Sequence, residues 1–503
     1  MTKYKHFLGW PRSHWLVSGV LVTGALALCA GCAVGPDYQT PEYKVPDAWQ
    51  NAAAADVQGE SPLIENWWSA LGDAQLESLI VRARRANPDL WAAISRISEA
   101  RAVHQIAGGN YYPQLQGSGQ FSRTSVGENS PNGALIGLTG NPYSNWEFGL
   151  GASWELDVFG RVRRSREATG AAVQASIEDY RDVMVTLYAD VATTYIDIRA
   201  LQMRLSYAVN NVSSQRETMD IVIAREEAGL VPLLDVSRAR SNLANTEAAI
   251  PQLMTALESA LNRVAILLGE APGALDDELR PVAEIPQANT NIAVALPAEL
   301  LRRRPDVRRS ERELAAQTAR IGVATADLYP SFSLTGVLNL TSVDFNGLGD
   351  SGHTGWSLVP GVQWALFSGG KIRGQIKVEE ARTEQALARY EKTVLNALAE
   401  VENSLVALRQ EEIREGLLRT AVEASQQSVE LVEIQYIEGL TDFQSYLDAQ
   451  RVLFNQQDSY AQSRGLVVTN LINLNRNLGG GWSLSDTTPD AMPGRVQPEE
   501  VEE

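Results

Sequence analysis

The clearest pattern in the chain is an alternation. Trp146, Phe148, Leu150, Ala152, Trp154, Leu156 and Val158 alternate with Glu147, Gly149, Gly151, Ser153, Glu155 and Asp157. That period of two describes a strand with one apolar face. Upstream, Gln114, Gln116, Ser118, Gln120 and Ser122 alternate with Leu115, Gly117, Gly119 and Phe121. Later, Phe332, Leu334, Leu338 and Leu340 share one side of a second alternating stretch, and Trp356, Leu358, Val362, Trp364 and Leu366 share a face after a loop at 341–355. Strands are therefore expected at about 114–124, 145–158, 331–342 and 355–367. A Gly/Asn/Ser/Pro-rich loop lies between the first two. The strands are long enough to cross a bilayer when tilted, which takes ~9–11 residues. Aromatics mark their ends at Trp146, Phe159, Trp356 and Phe367, as in the girdles of membrane barrels. A soluble sandwich alternates too, but its polar face need not be as small and hydrophilic as a water-filled lumen requires.

Between the strand pairs the period changes. Tyr180, Met184, Leu187, Val191, Thr194, Ile198, Leu201 and Leu205 step by four and three, and so do Val394, Leu398, Val401, Leu405 and Leu408. This is a coiled-coil seam. It predicts very long helices over about 160–228 and 371–438, the first running ~100 Å at 1.5 Å per residue. A coiled-coil rod alone would not account for the strands. Gly229 and Gly439 break the helices, and return helices follow at about 233–268 and 442–478, Pro232 opening the first.

The chain also resembles itself. Asn87-Pro88-Asp89 recurs as Arg304-Pro305-Asp306 and Tyr112-Pro113 as Tyr329-Pro330, both at an offset of 217. Beyond the first copy's longer loop the offset is 210. It pairs Trp154-Glu155-Leu156 with Trp364-Ala365-Leu366, Tyr180 with Tyr390, Gly229-Leu230 with Gly439-Leu440, and Leu268-Gly269 with Leu478-Gly479. Two tandem repeats are expected, 74–269 and 298–479, with a linker at 270–297. An extension at 32–73 precedes them and an acidic tail at 480–503 follows.

The first residues read as an address. Lys3, Lys5 and Arg12 precede an apolar run from Trp15 to Ala30, too short for a membrane span and ending in Ala30-Gly31-Cys32. Residues 1–31 are expected to be a lipoprotein signal peptide and Cys32 the acylated N-terminus, although Cys29 stands where such signals usually carry Leu. Ala33 after the cysteine permits passage to the outer membrane. No other window offers eighteen uninterrupted apolar residues, so a membrane-spanning mature chain must span with strands.

Composition narrows the function. The 503 residues are 44% hydrophobic and 21% charged, with 61 acidic against 43 basic side chains. A net charge of −18 disfavours nucleic-acid binding. Two cysteines, Cys29 and Cys32, exclude a disulfide-stapled product cut between them, and four histidines are too few for a His-rich metal centre. Gly369-Gly370-Lys371 lacks the Ser or Thr a phosphate loop needs. Arg302-Arg303-Arg304 reads as a solvated or ion-paired helix start. No convincing nucleophile–base pair suggests an enzyme, and no cofactor is expected beyond covalent lipid on Cys32.

Four strands leave two edges unpaired in lipid, which hydrogen bonding forbids. The smallest bacterial membrane barrels have eight strands. A symmetric oligomer must therefore close the pore, a dimer with eight strands or a trimer with twelve.

The chain at this point resembles a TolC-like outer-membrane factor of the lipidated OprM/NodT type. The resemblance rests on Val34-Gly35-Pro36-Asp37-Tyr38, Trp67-Trp68 with Gly72-Asp73, and Arg302-Arg303-Arg304-Pro305-Asp306-Val307-Arg308. It also rests on Ile321-Gly322-Val323-Ala324 with Tyr329-Pro330-Ser331, on the pair 155–161 and 366–371, and on Leu447-Asp448-Ala449-Gln450-Arg451. It implies a mixed α and β fold: a homotrimeric transmembrane β-barrel, four strands per chain, continued by a long periplasmic α-helical barrel. It implies docking with a periplasmic adaptor protein and an inner-membrane efflux pump, and passive exit of drugs or other small solutes. It places a narrowing aspartate ring at Asp448. A second family aspartate falls on Ser445 and a gate-locking arginine on Thr441, so the lock is expected to be weaker or differently built. Asp235 pairs with Ser445 at the offset of 210 and joins Asp448 as an entrance residue. As a helix-start acid it would also be favoured by the helix dipole. The alternatives are a type I protein-secretion duct and a periplasmic structural lipoprotein without a pore.

Overall fold

The computed structural model describes residues 33–51, 65–125, 142–287 and 303–483. The expected signal peptide, Cys32 and the end of the acidic tail lie outside the described residues. The chain divides into two compact units. One comprises Met1–Pro41, Glu99–Val173 and Arg312–Ala388; the other comprises Glu42–Ser98, Gln174–Glu311 and Arg389–Glu503.

The first unit holds the sheet. Its strands are β1 (Gln114–Thr124), β2 (Tyr143–Leu156), β3 (Ser331–Ser342) and β4 (Thr354–Gln363), antiparallel throughout in the order β1-β2-β3-β4. Strands β2 and β4 stop sooner than the alternation suggests, at Leu156 and Gln363 rather than 158 and 367. In both places the backbone turns back on itself. The Val158 N–H donates to the Leu156 carbonyl at 2.8 Å, and the Leu366 N–H to the Trp364 carbonyl at 3.1 Å. Those contacts withdraw the last apolar side chains from the ladder.

The helices are α1 (Ala74–Ala86), α2 (Pro88–Gly109), α3 (Arg161–Glu227), α4 (Leu233–Leu267), the one-turn α5 (Asp276–Leu279), α6 (Pro305–Ala326), α7 (Lys371–Ile437) and α8 (Phe443–Asn477). Both long helices have 67 residues and both return helices 35. Their starts are built locally. The Asp157 carboxylate accepts the N–H groups of Val162 and Arg163 at 2.9 and 2.8 Å, meeting two of the donors a helix N-terminus leaves over. Gly369 and Gly370 take φ of 59° and 86° before α7, a path glycine follows without steric cost. Asp73 caps α1 by accepting from Gln75 and Leu76.

The coiled-coil seam is the core of the second unit. Tyr180, Met184, Leu187, Val191, Thr194 and Ile198 are buried, as are Val394, Val401, Leu405 and Leu408. Leu201, Leu205 and Leu398 are only half-buried. The same unit buries Arg199, whose guanidinium donates to Gln75, Gln202 and the carbonyls of Leu279 and Pro281. Those bonds tie α3 to α1 and to the segment after α4. Among the described residues no helix is long and apolar enough to cross a membrane, and no cluster of His, Cys, Asp and Glu could hold a metal ion.

Four glycines at helix ends divide into two kinds. Gly229 and Gly439 follow the long helices, with φ of 71° and 72° and open space where a Cβ would stand. Gly269 and Gly479 follow the return helices, with φ of 69° and 74°. A methyl at 269 would overlap the Ala86 carbonyl oxygen, and one at 479 would press on the Arg303 carbonyl. Backbone strain alone therefore sets the cost of Gly229→Ala, about 1 kcal/mol, whereas steric overlap raises Gly269→Ala to ~3 kcal/mol. Thermal unfolding of the detergent-purified full chain is expected to show Gly269→Ala well below Gly229→Ala.

Candidate functional site

Two features of the chain carry chemistry: the faces of the sheet in one unit and the helix-hairpin ends in the other.

The register of the sheet sorts side chains by polarity. Leu115 faces Ala152, Leu150 faces Leu338, Phe148 faces Leu340, and Leu338 faces Trp356. Phe121 lies opposite Trp146, their rings 4.3 Å apart. On the other face Gln116 meets Gly151, Ser118 meets Gly149, Gln120 meets Glu147, and Asn339 meets both Gly149 and Gly355. Neighbouring strands thus reinforce one apolar and one small, polar face, because cross-strand partners share a side. Val337 and Val359 are the apolar exceptions on the polar side. Among the described residues nothing covers the apolar face: Leu115 and Trp356 are each 78% exposed and Leu150 is 60% exposed. A contiguous patch of this kind marks a surface meant for lipid or protein. Aromatics gather at both ends of the strands. Trp146 packs against Phe345 at 5.0 Å near one end, and Phe159 stacks on Tyr329 at 4.7 Å near the other. At that second end the indoles of Trp154 and Trp364 donate to the carbonyls of Tyr111 and Leu328 at 2.9 and 3.0 Å.

In the second unit the turns between α3 and α4 and between α7 and α8 follow one design. Gly229 and Gly439 accommodate the left-handed step, and the Leu230 and Leu440 N–H groups reach back to the Arg225 and Gln435 carbonyls at 2.8 Å. The caps that follow differ. Asp442 precedes α8 and accepts from both the N–H and the hydroxyl of Ser445, at 2.8 and 2.7 Å. Those two hydrogen bonds, the hydroxyl first, hold the Asp442 carboxyl below the usual carboxylate range. Pro232 occupies the matching position before α4 and makes no such bond.

The two hairpin ends pack on each other. Val222, Val236 and Ala239 from the first meet Tyr436, Phe443, Tyr446 and Leu447 from the second. Tyr436 stacks on Tyr446, centroids 5.9 Å apart, and burial pushes both phenols above their ordinary values. The Tyr446 hydroxyl meets the Thr218 hydroxyl at 3.3 Å, and the Gln450 amide donates to Thr218 at 3.1 Å. Arg225, in the last turn of α3, donates to the Tyr436 and Ile437 carbonyls at 3.0 and 3.2 Å while its guanidinium lies 4.8 Å from the Tyr436 ring centroid. A cation thereby meets the last carbonyls of α7, of which that of Tyr436 also accepts the Gly439 N–H, at the end where the helix dipole favours positive charge.

The four entrance residues read from the sequence lie in this region with different surroundings. Asp235 is largely covered and sits 3.7 Å from Arg238; its charge also bears on the Tyr436 phenol. Asp448 is half-exposed and paired with Arg451 at 2.9 Å. Ser445 is exposed and committed to the Asp442 cap. Thr441 is half-buried just before that cap. Cys32 lies outside the described residues. Sequence reasoning missed Arg225 and Asp442. The signal for Asp442 was present, an aspartate directly before an amphipathic helix with a serine three residues on. Arg225 carried only the weak signal of a basic residue in a last helical turn.

Comparison with known proteins assigns the family. The outer membrane efflux protein model matches residues 79–270 and again 296–480. Nodulation protein T of Rhizobium leguminosarum bv. trifolii is 33% identical over 438 residues, covering 87% of this chain and 91% of that protein. The outer membrane protein OprJ of Pseudomonas aeruginosa is 31% identical, covering 93% and 96%. The structure of the outer-membrane channel OprN superposes with a TM-score of 0.83 at 34% identity, covering 90% of this chain and all of that one. The Campylobacter jejuni CmeC outer-membrane channel, at 22% identity and a TM-score of 0.82, shares the fold. A mostly helical chain with one small two-faced sheet, matched along nearly its whole length, belongs to the outer membrane efflux protein family: it is a TolC-like outer-membrane factor of the OprM/NodT type, a channel of the outer membrane that extends into the periplasm.

Proposed function

We propose that three copies of this chain close into one twelve-stranded barrel continued by a periplasmic helical conduit, and that this conduit is the passive exit of a tripartite pump. The observation that carries the reading is the sheet. Among the described residues its edge strands β1 and β4 have no partner on their outer sides, and its apolar face is exposed. In lipid an unpaired edge costs several kcal/mol per backbone group, so β4 of one copy must pair with β1 of the next until the ring closes. The aromatic groups at both strand ends then form the two interfacial girdles, and the small polar face lines the lumen. Two tandem repeats build each chain. The twofold family match and the equal helix lengths of 67 and 35 residues support that duplication. Acylated Cys32 anchors the N-terminus in the outer membrane.

A periplasmic adaptor and an inner-membrane pump supply solute and energy; the channel does no chemistry and holds no cofactor. Relatives support a small-solute role. The toluene efflux pump outer membrane protein TtgC of Pseudomonas putida is 30% identical over 462 residues. The hairpin ends form the entrance. Asp448 and Asp235 narrow it, and Thr441 and Ser445 take the places of a missing arginine and aspartate. Three Asp448 carboxylates facing one another would repel, and the Arg451 partner of each softens that repulsion. With Thr441 in place of an arginine lock, the bond from Arg225 to the end of α7 acts as a lock between the two hairpins of a chain, beside the Thr218 contacts with Tyr446 and Gln450.

Single-channel conductance of the purified protein in a planar bilayer tests the reading. Wild type is expected to conduct weakly and Asp448→Ala several-fold more. A large conductance that Asp448→Ala leaves unchanged keeps the channel and sinks the gate. No conductance from a folded preparation sinks the channel. Arg225→Ala is expected to raise conductance as well, with Arg225→Lys between the two, since an ammonium cannot span both carbonyls and the Tyr436 ring as a guanidinium does. Unchanged conductance from a folded Arg225→Ala oligomer would show that the hairpins part elsewhere.

A further inference from the structure

The residues directly after Cys32 are seated, not trailing. The Val34 N–H donates to the Phe159 carbonyl at 3.1 Å. Arg164, in the first turn of α3, does most of the holding. Its Nε donates to the Val34 carbonyl at 3.1 Å, and Nη2 donates to the Gly35 carbonyl at 3.2 Å and the Asp37 carboxylate at 2.7 Å. Nη1 is taken by Glu167 at 2.8 Å. The Arg164 side chain is only 5% exposed, whereas that of Asp37 is 85% exposed. Three of the four groups that satisfy a buried guanidinium thus come from one short peptide. The surrounding glycines show how tight the seat is. Gly35 has φ of 89° and its missing Cβ would run into the backbone of Gly322 in α6. Gly160, with φ of 82°, has Ala33 where a Cβ would stand, 2.7 Å from the Ala33 Cα. The Arg312 guanidinium lies 5.6 Å from the Tyr38 ring centroid and closes the far side. All of these residues belong to the unit that holds the sheet.

A tether that only kept the protein near its membrane would need none of this; a flexible linker would do. Here the bonded neighbour of Cys32 rests on the turn between β2 and α3, and consecutive Cα atoms are ~3.8 Å apart. We propose that Arg164 is a positioning residue for the lipid anchor. With Ala33–Asp37 it forms a seat that transmits the membrane attachment of Cys32 to the β2–α3 junction, so that anchor and strand enter the bilayer at one fixed height. The inference rests on the reading that Cys32 is acylated. The physical basis is the burial of a permanently charged group. Without the peptide, Arg164 keeps only Glu167 and must otherwise be solvated, so seating the peptide and forming the junction favour each other.

The test is a double-mutant cycle on the full-length chain exported in a host that acylates lipoproteins. Asp37→Ala, Arg164→Lys and Arg164→Ala are each placed in two backgrounds: the natural one, and Cys32→Ser behind an ordinary secretory signal. The readouts are the mass of the mature N-terminal peptide and, by pulse–chase, the rate at which heat-resistant outer-membrane oligomer appears. In the acylated background Asp37→Ala and Arg164→Ala are expected to slow assembly several-fold, Arg164→Lys less. In the Cys32→Ser background they are expected to slow assembly distinctly less, because only the packing of the seat is lost and there is no anchor whose position it could pass on. Equal slowing in both backgrounds would make Arg164 an ordinary packing residue and overturn the inference. No slowing in the acylated background would overturn it too, while leaving acylation standing. An unacylated wild-type N-terminus, read directly from the mass, would remove the anchor itself. Should Arg164→Ala fail to fold, Asp37→Ala still decides, since that carboxylate contributes little buried structure.

Discussion

The structure depends on the cost of an unpaired backbone hydrogen-bonding group in lipid. A four-stranded antiparallel sheet with two free edges is tolerable in water and untenable in a hydrocarbon layer. Once its apolar face commits the sheet to the membrane, the edges demand partners, and nothing in the chain offers a fifth strand among the described residues. Membrane insertion of such a sheet therefore calls for the proposed oligomer. The alternation in β1–β4 serves the same demand from the side-chain direction. A slip of one residue at any ladder would turn Trp146, Phe148 and Leu150 to the polar face and Glu147 to the apolar one, so the register is strongly specified.

Beyond the membrane the constraint reverses. Water satisfies backbone groups, and the long helices need a reason to pack. The seam through Tyr180–Ile198 and Val394–Leu408 supplies it by burying an apolar stripe along the helix. Fixed ends matter more in such helices than propensity does. The Asp157 and Asp442 carboxylates and the glycines at 229 and 439 define where each helix starts and stops. Arg225 in the last turn of α3 reaches the last carbonyls of α7, tying the two helix ends together.

What was legible in the sequence follows from period. Strict alternation and the four–three seam each reveal themselves over a dozen residues, so strands and long helices could be placed within a few positions. The strand ends at Leu156 and Gln363 were not legible. They are set by backbone turns at 156–158 and 364–366 and by the Trp154 and Trp364 indoles reaching carbonyls beyond the ladder. No alternation pattern encodes such contacts. The hairpin ends were half-legible. Gly229 and Gly439 announce a stop, and Asp235 and Asp448 stand out by resemblance. Arg225 could not be found, because its importance comes from packing against residues more than two hundred positions away. The Arg164 seat was hidden in the same way, its partners lying about 130 positions away, although its peptide half, Val34–Asp37, lies in a stretch the resemblance had already singled out.

The two hairpin ends show where an otherwise regular design departs from its own symmetry. At an offset of 210 residues the glycine, the following leucine and the helix lengths correspond, whereas the caps do not. Asp442 stands opposite Pro232, and Ser445 opposite Asp235. The acidic group has moved three residues, one turn further into the first return helix. In the second hairpin the carboxylate is spent on a helix cap and held by Ser445. In the first, Pro232 has no side-chain acceptor to cap the helix, and the Asp235 charge bears on the Tyr436 phenol. The exchange leaves helix starts of equal length while giving one of them a charge that acts on its neighbour. The proposed gate draws on that difference between the hairpin ends. Two identical ends, each with a self-satisfied cap, would hold their own helices and exert nothing on each other.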